Sequence, residues 1–208
     1  MPLPRLQSIL DLETAAAAGW APSELARAFL DGGALLIQLR AKHLPSGALL
    51  QLSERLLQLA EPYGAHVIVN DRADVAKMAG AHGVHVGQED LAPAAARAIL
   101  GLDAIVGVST HTAEQVTAAA TEPVSYIAIG PVFGTSSKAT GYEPVGLQRV
   151  SEAVKLAGGL PVVAIGGITL ETAPGVLAAG AASVAIISDL LTTRDPAARV
   201  RQLLAALR

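Results

Sequence analysis

Eight parallel strands, each followed by a helix and closed into a (β/α)8 TIM barrel, are the α/β fold this sequence predicts. Three observations carry the expectation. Eight short apolar runs alternate with eight helix-like segments along 208 residues, and the links between them are short. The runs are almost continuously apolar, as strands covered on both faces must be. Apolar residues make up 51% of the chain but aromatics only 3%, so Ala, Leu, Val and Gly do the packing, which suits close helix-on-strand layers. The competing architecture, an open doubly wound sheet, would carry a G-x-G-x-x-G after the first strand, and none is there. One domain over residues 1–208 is expected, because no linker-like segment divides the chain and its length leaves little for decoration.

Leu6–Leu10 is the first strand and stops at Asp11. Ala21–Asp31 has helical spacing through Leu25, Ala28 and Phe29, with Gly32-Gly33 as its stop. Ala34–Arg40 is the second strand, and the helix over Ser46–Tyr63 sets Leu49, Leu52, Leu56 and Leu59 three and four residues apart. His66–Asn70 and Gly83–Val86 are the third and fourth strands. Helices follow them at Ala73–Ala79 and at Pro93–Leu100, the latter with proline at its first position. Ala104–Val108 and Tyr126–Ile129 come next, with helices Ala113–Ala120 and Gly146–Ala157. Pro161–Ile165 and Ser183–Ile187 complete the strands, followed by helices from about Leu170 to Ala178 and from Pro196 to Leu207.

Composition excludes several function classes. A net charge of −3 speaks against a nucleic-acid partner held by bulk electrostatics. The absence of cysteine removes disulfides, thiolate metal sites and a cysteine nucleophile. No run approaches ~18 uninterrupted apolar residues, and no basic segment followed by an apolar one opens the chain. No membrane partner and a cytoplasmic location are therefore expected. The oligomeric state is left open, a homo-oligomer included.

In a barrel of this kind, chemistry sits at the carboxyl ends of the strands. On the second strand Gln38 and Arg40 share one parity and point inward, with Lys42 two residues on. A buried Arg needs an anion, either a ligand or an inner carboxylate. The third strand ends in Asn70-Asp71-Arg72 and the fourth in Gly87-Gln88-Glu89-Asp90. Asp71 and Asp90, if not simple helix caps, are placed to share Mg²⁺, completed by water and substrate phosphate. The fifth strand ends in Ser109-Thr110-His111 without a nucleophile elbow, so Ser109 reads as a hydrogen-bonding group and His111 as site lining or a helix start. His43, His66, His82 and His85 read as core or surface residues. Past the sixth strand, Thr135, Ser136, Ser137 and Lys138 bring three hydroxyls and an ammonium together, a receiver for phosphate or simply a polar turn. Gly166-Gly167 and Ile187-Ser188 close the seventh and eighth strands, the usual place for phosphate held by backbone amides. Two anion sites result. One is cationic, around Arg40, Lys42, Asn70, Asp71, Asp90 and Lys138; the other is amide-based, around Thr135, Ser137, Gly166, Gly167, Ile187 and Ser188.

Together these strings resemble the thiamine phosphate synthase family over nearly the whole chain. The matching segments are IQLRAK (Ile37–Lys42), VNDR (Val69–Arg72), GVHVGQEDL (Gly83–Leu91), GVSTH (Gly107–His111), IGPVFGTSSK (Ile129–Lys138), VAIGGI (Val163–Ile168) and AIIS (Ala185–Ser188). The resemblance implies an enzyme that joins hydroxymethylpyrimidine pyrophosphate to thiazole phosphate and releases pyrophosphate by a dissociative mechanism. It implies that Gln38 and Ser109 contact the pyrimidine, that Arg40, Lys42, Asn70 and Lys138 hold its pyrophosphate, and that Asp71 and Asp90 carry Mg²⁺. Thr135, Ser137, Gly167, Ile187 and Ser188 would receive the thiazole phosphate, and Arg40, Lys42, Ser109 and Lys138 would be the catalytic set. Three positions depart from the family pattern. Ala41 stands where an acid is frequent, Ser137 replaces a second threonine, and the first strand, LQSILD, lacks the usual aromatic. Rival readings are a metal-free thiazole tautomerase using His111, a non-catalytic barrel that binds a phosphorylated ligand, and a phosphosugar-type isomerase, for which no acid–base pair is found.

Overall fold

The computed structural model describes residues 3–134 and 143–208. Eight parallel strands, β1 (Leu6–Asp11), β2 (Leu36–Arg40), β3 (His66–Asn70), β4 (Gly83–Val86), β5 (Ile105–Thr110), β6 (Tyr126–Ile129), β7 (Val162–Ile165) and β8 (Ser183–Ile186), pair in sequence order. β8 pairs back onto β1, and the barrel is closed.

Each strand splits its residues by parity. Ile37, Leu39, Val67, Val69, Val84, Val86, Val106, Ile127 and Ile129 point outward and pack under the helices. Ile9, Leu36, Ile68, Tyr126, Ala128, Val163, Ala185 and Ile187 fill the barrel itself. Burying a side chain of this size contributes about 1.5–3 kcal/mol, so both faces select apolar residues, and the strands read as continuous apolar runs.

The helices follow the expected order, with differences at their ends. Helix α1 (Leu12–Ala17) is an addition: Asp11 caps it, accepting from the Thr14 amide at 2.9 Å and the Thr14 hydroxyl at 2.6 Å. Next come α2 (Pro22–Asp31) and α3 (Ser46–Ala60). Helix α3 buries Leu49, Ser53, Leu56 and Ala60 on one face, and Ser53 satisfies its hydroxyl by donating to the Leu49 carbonyl at 2.7 Å. It stops short of Tyr63 because Pro62 has no N–H to continue the ladder, and Glu61–Tyr63 tightens into a 3₁₀ turn. Four helices follow, α4 (Ala73–Ala79), α5 (Pro93–Leu100), α6 (Ala113–Ala119) and α7 (Gly146–Leu156). Helix α8 (Ala173–Ala178) starts later than expected, since the Thr172 hydroxyl accepts from the Thr169 amide at 2.9 Å and turns the chain first. A 3₁₀ turn at Ser188–Leu191 and helix α9 (Pro196–Ala206), capped by Asp195, end the fold. Among the described residues no helix is long and apolar enough to cross a membrane.

Candidate active site

The carboxyl ends of the strands surround a pocket lined by Gln38, Arg40, Asn70, Ser109, Gly167, Ile187 and Ser188 among the expected residues. Parity explains the convergence. Gln38 and Arg40 alternate with the outward-facing Ile37 and Leu39, and Asn70 continues the inward row of Ile68. The loop after β6 leaves the barrel pinned at both ends. The Val132 and Phe133 amides donate to Ile165 and Gly166, and the Val145 and Gly146 amides donate back to Pro131 and Val132. Thr135, Ser137 and Lys138, which sit between these anchors in sequence, lie outside the described residues.

Arg40 finds an inner carboxylate. Register sets Asp11 opposite Arg40 on the neighbouring strand, and the guanidinium donates to Asp11 Oδ2. The pair is nearly buried, at 11% and 2% side-chain exposure, which is why neither charge could stand alone. Burial pushes the Asp11 carboxyl upward, but donation from Thr14 and Arg40 together with the Arg40 charge outweighs it and leaves the group below its ordinary value. The Arg40 Nε is buried without a hydrogen-bond partner among the described residues, so the guanidinium keeps donor capacity beside the pocket.

At the rim, Lys42 Nζ lies 3.4 Å from Asp71 Oδ2. Asp71 adopts φ 64°, a left-handed conformation uncommon outside glycine, held by its amide donating to the His85 carbonyl at 2.7 Å. Burial first, and the adjacent Asp90 carboxylate second, raise the Asp71 pKa against the pull of Lys42. Asp90 Oδ2 accepts from the Gly87 amide at 2.7 Å. Neither acid caps a helix: α4 begins after Arg72 and α5 after Ala92. Two neighbouring carboxylates without a third ligating side chain among the described residues suit Mg²⁺, which takes one or two carboxylates and completes its shell with water and substrate oxygens. They do not make the closed cage of a structural zinc or an all-protein calcium site.

Across the pocket, Gly166 and Gly167 have φ 103° and 62°. A Cβ on Gly167 would lie 2.4 Å from the Gly134 carbonyl oxygen, so this turn requires glycine. Asp189, 5% exposed, ties the last two loops together. Its carboxylate accepts from the Leu170 amide at 3.2 Å and from Arg199 at 3.0 and 2.7 Å.

The sequence reading passed over four contributors. Gln7 lines the pocket from the strand that lacks the family's aromatic. His85, expected in the core or on the surface, is 8% exposed, lines the pocket and bonds to Ser109 and Tyr126. The alternation Gly83-Val84-His85-Val86-Gly87, with both valines outward, held the signal that His85 faces inward. Of Tyr126 and Asp11 the sequence shows only that they begin and end strands. His111 does line the site, with Nδ1 at 2.6 Å from the Gly130 carbonyl oxygen.

Comparison with known proteins gives this geometry a family. The model of thiamine monophosphate synthase matches residues 14–190. The thiamine biosynthesis bifunctional protein of Symbiobacterium thermophilum is 46% identical over 193 residues, 91% of this chain but 39% of that longer protein. The thiamine-phosphate synthase of Moorella thermoacetica is 42% identical over 180 residues, 86% of this chain and 85% of the relative. The solved thiamine phosphate pyrophosphorylase of Pyrococcus furiosus superposes with a TM-score of 0.88 at 31% identity, covering 98% of this chain and 95% of the other. With a family model spanning most of its length and these relatives beside it, the chain belongs to the thiamine monophosphate synthase family.

Proposed function

We propose that this chain is a thiamine phosphate synthase, a transferase that joins hydroxymethylpyrimidine pyrophosphate to thiazole phosphate. The observation that carries the reading is a pocket lined by Arg40 and Asn70 on one side, with the Lys42–Asp71 ion pair following directly after them in sequence, and by a glycine-turned backbone site on the other. Two phosphorylated substrates fit that division. Gln38 and Ser109 hold the pyrimidine, and Arg40, Lys42, Asn70 and Lys138 receive its pyrophosphate. Thr135, Ser137, Gly167, Ile187 and Ser188 hold the thiazole phosphate. Asp71 and Asp90 would hold Mg²⁺, which supplies positive charge to the pyrophosphate oxygens when bound.

The chemistry is dissociative. The bond between the pyrimidinylmethyl carbon and the pyrophosphate oxygen breaks with its electron pair on oxygen, and the thiazole nitrogen then donates its lone pair to the carbon. No general base is needed, because that nitrogen carries no proton to remove. The residues stabilise the departing charge and hold the two rings in line. The test is pyrophosphate release with both substrates present, in Mg²⁺ and again in EDTA. Metal-dependent release together with thiamine phosphate supports the synthase, and no release by folded protein refutes it.

A second reading, a tautomerase that shifts a proton on the thiazole phosphate, draws on His111. With Nδ1 on the Gly130 carbonyl, its Nε2 would be the basic nitrogen. That activity would persist in EDTA and fall on His111→Ala.

A further inference from the structure

Behind Ser109 the barrel interior holds two polar residues, His85 and Tyr126, that the proposed chemistry leaves unused. Strand register sets His85, Gly107 and Tyr126 side by side on β4, β5 and β6. Because the middle position has no side chain, the Tyr126 ring lies across it and stacks on His85, with centroids 5.6 Å apart and planes at 19°. The Tyr126 hydroxyl is 2.9 Å from His85 Nδ1, and His85 Nε2 is 2.8 Å from Ser109 Oγ. Ser109 in turn faces the pocket.

Counting protons fixes the direction of these hydrogen bonds. The phenol is fully buried and stays protonated, its pKa raised by burial against a smaller lowering by Gln7. His85 Nδ1 is the hydrogen-bond partner of that hydroxyl among the described residues, and a buried O–H left without an acceptor is costly, so the phenol's own proton points at Nδ1. A neutral imidazole that accepts at Nδ1 carries its hydrogen on Nε2. That N–H then donates to Ser109 Oγ, and the serine hydrogen remains to be directed into the pocket.

We propose that Tyr126, acting through His85, is a positioning residue that holds Ser109 as a hydrogen-bond donor, so that Ser109 selects a substrate ring presenting an acceptor nitrogen. The identity of that ring as the pyrimidine rests on the synthase reading; the order of protons does not. In this arrangement Ser109 discriminates against a ring with N–H at the same position, since two donors would meet there.

The experiment is long-range ¹H–¹⁵N correlation spectroscopy on the full chain labelled in its histidine rings, in wild type and Tyr126→Phe. His85 is expected as the Nε2–H tautomer in wild type and as a mixture of tautomers in the variant. Steady-state kinetics on the same two proteins should show KM for hydroxymethylpyrimidine pyrophosphate raised about three- to tenfold, the size of one neutral hydrogen bond, with kcat moved less. A merely structural role for Tyr126 would leave the tautomer unchanged. An Nδ1–H tautomer in wild type overturns the proposal even if Tyr126→Phe fails to fold. An Nε2–H tautomer in a chain that releases no pyrophosphate would keep the relay and sink the synthase reading. The opposite pair of results would do the reverse.

Discussion

Gly107→Ala is the sharpest test of how the barrel floor is built. A methyl carbon at that position would lie 2.1 Å from Tyr126 Cζ, 2.4 Å from its hydroxyl oxygen and 2.6 Å from Cε1. Unstrained carbon contacts sit at about 3.5–4.0 Å, so the ring must retreat by roughly 1.5 Å. It has nowhere to go, because Tyr126 is fully buried among barrel residues. Overpacking of this kind costs about 1–3 kcal/mol. Losing the Tyr126–His85 bond adds about 1 kcal/mol, for a total of about 2–4 kcal/mol. In a chain of this length that corresponds to a fall in Tm of about 5–15 °C.

The assay is thermal and urea unfolding of wild type, Gly107→Ala, Tyr126→Leu and the double variant. Tyr126→Leu removes the ring that crosses Gly107, so the added methyl should cost under about 1 kcal/mol in that background. The coupling between the two sites should therefore reach about 2 kcal/mol, as expected for side chains in direct contact. Gly107→Ala at wild-type stability, or an equal cost in both backgrounds, would refute the crossing geometry.

Three further outcomes follow from other parts of the molecule. Asp11→Ala should destabilise the fold by about 3–5 kcal/mol, because it leaves the Arg40 guanidinium buried without its anion; added pyrophosphate should raise the Tm of this variant more than that of wild type. Asp71→Asn and Asp90→Asn should each raise the Mg²⁺ concentration needed for half-maximal pyrophosphate release by tenfold or more, and unchanged metal dependence would remove both from the cation site. His82 is held below the ordinary imidazole pKa by burial first and by His66 second, against a smaller upward pull from the Val67 backbone. The unfolded chain therefore binds a proton more readily than the folded one, and this contribution to stability is complete above pH about 6.5 and declines as pH falls toward the folded value. His82→Asn, whose Oδ1 can still accept from Val67, should flatten the stability profile below that pH, as read by urea midpoints.

The barrel was legible because burial on both faces makes each strand apolar throughout, and because strands and helices alternate at even spacing. What escaped depended on register. Nothing in the string LQSILD says that its terminal Asp11 stands opposite Arg40; only the β1–β2 pairing does. The same acid nucleates α1, a six-residue helix with one buried side chain, too short for periodicity to register. His85 escaped for a different reason. Taken alone a histidine is uninformative, whereas the parity of its valine neighbours points it inward. Tyr126 could be placed on a strand, but its reach to His85 depends on a glycine one strand away.

The charges around Arg40 give the proposed Mg²⁺ its physical rationale. Among the described residues there, Arg40 and Lys42 face Asp11, Asp71 and Asp90. Two cations against three carboxylates cannot attract a pyrophosphate, since at an effective dielectric constant of about 20 each like-charge pair at 5 Å costs roughly 3 kcal/mol. Arg40 is already committed to Asp11, and Lys42 leans on Asp71. A divalent cation on Asp71 and Asp90 reverses the balance, and Lys138 would add to it. Under this proposal the carboxylates belong to the leaving-group site because they recruit the charge that the site itself lacks. Binding of hydroxymethylpyrimidine pyrophosphate should then be far weaker in EDTA than in Mg²⁺, while binding of unphosphorylated hydroxymethylpyrimidine should not depend on the metal. Equal metal dependence for the two ligands, measured by calorimetry, would mean that Asp71 and Asp90 shape the pocket instead of charging it.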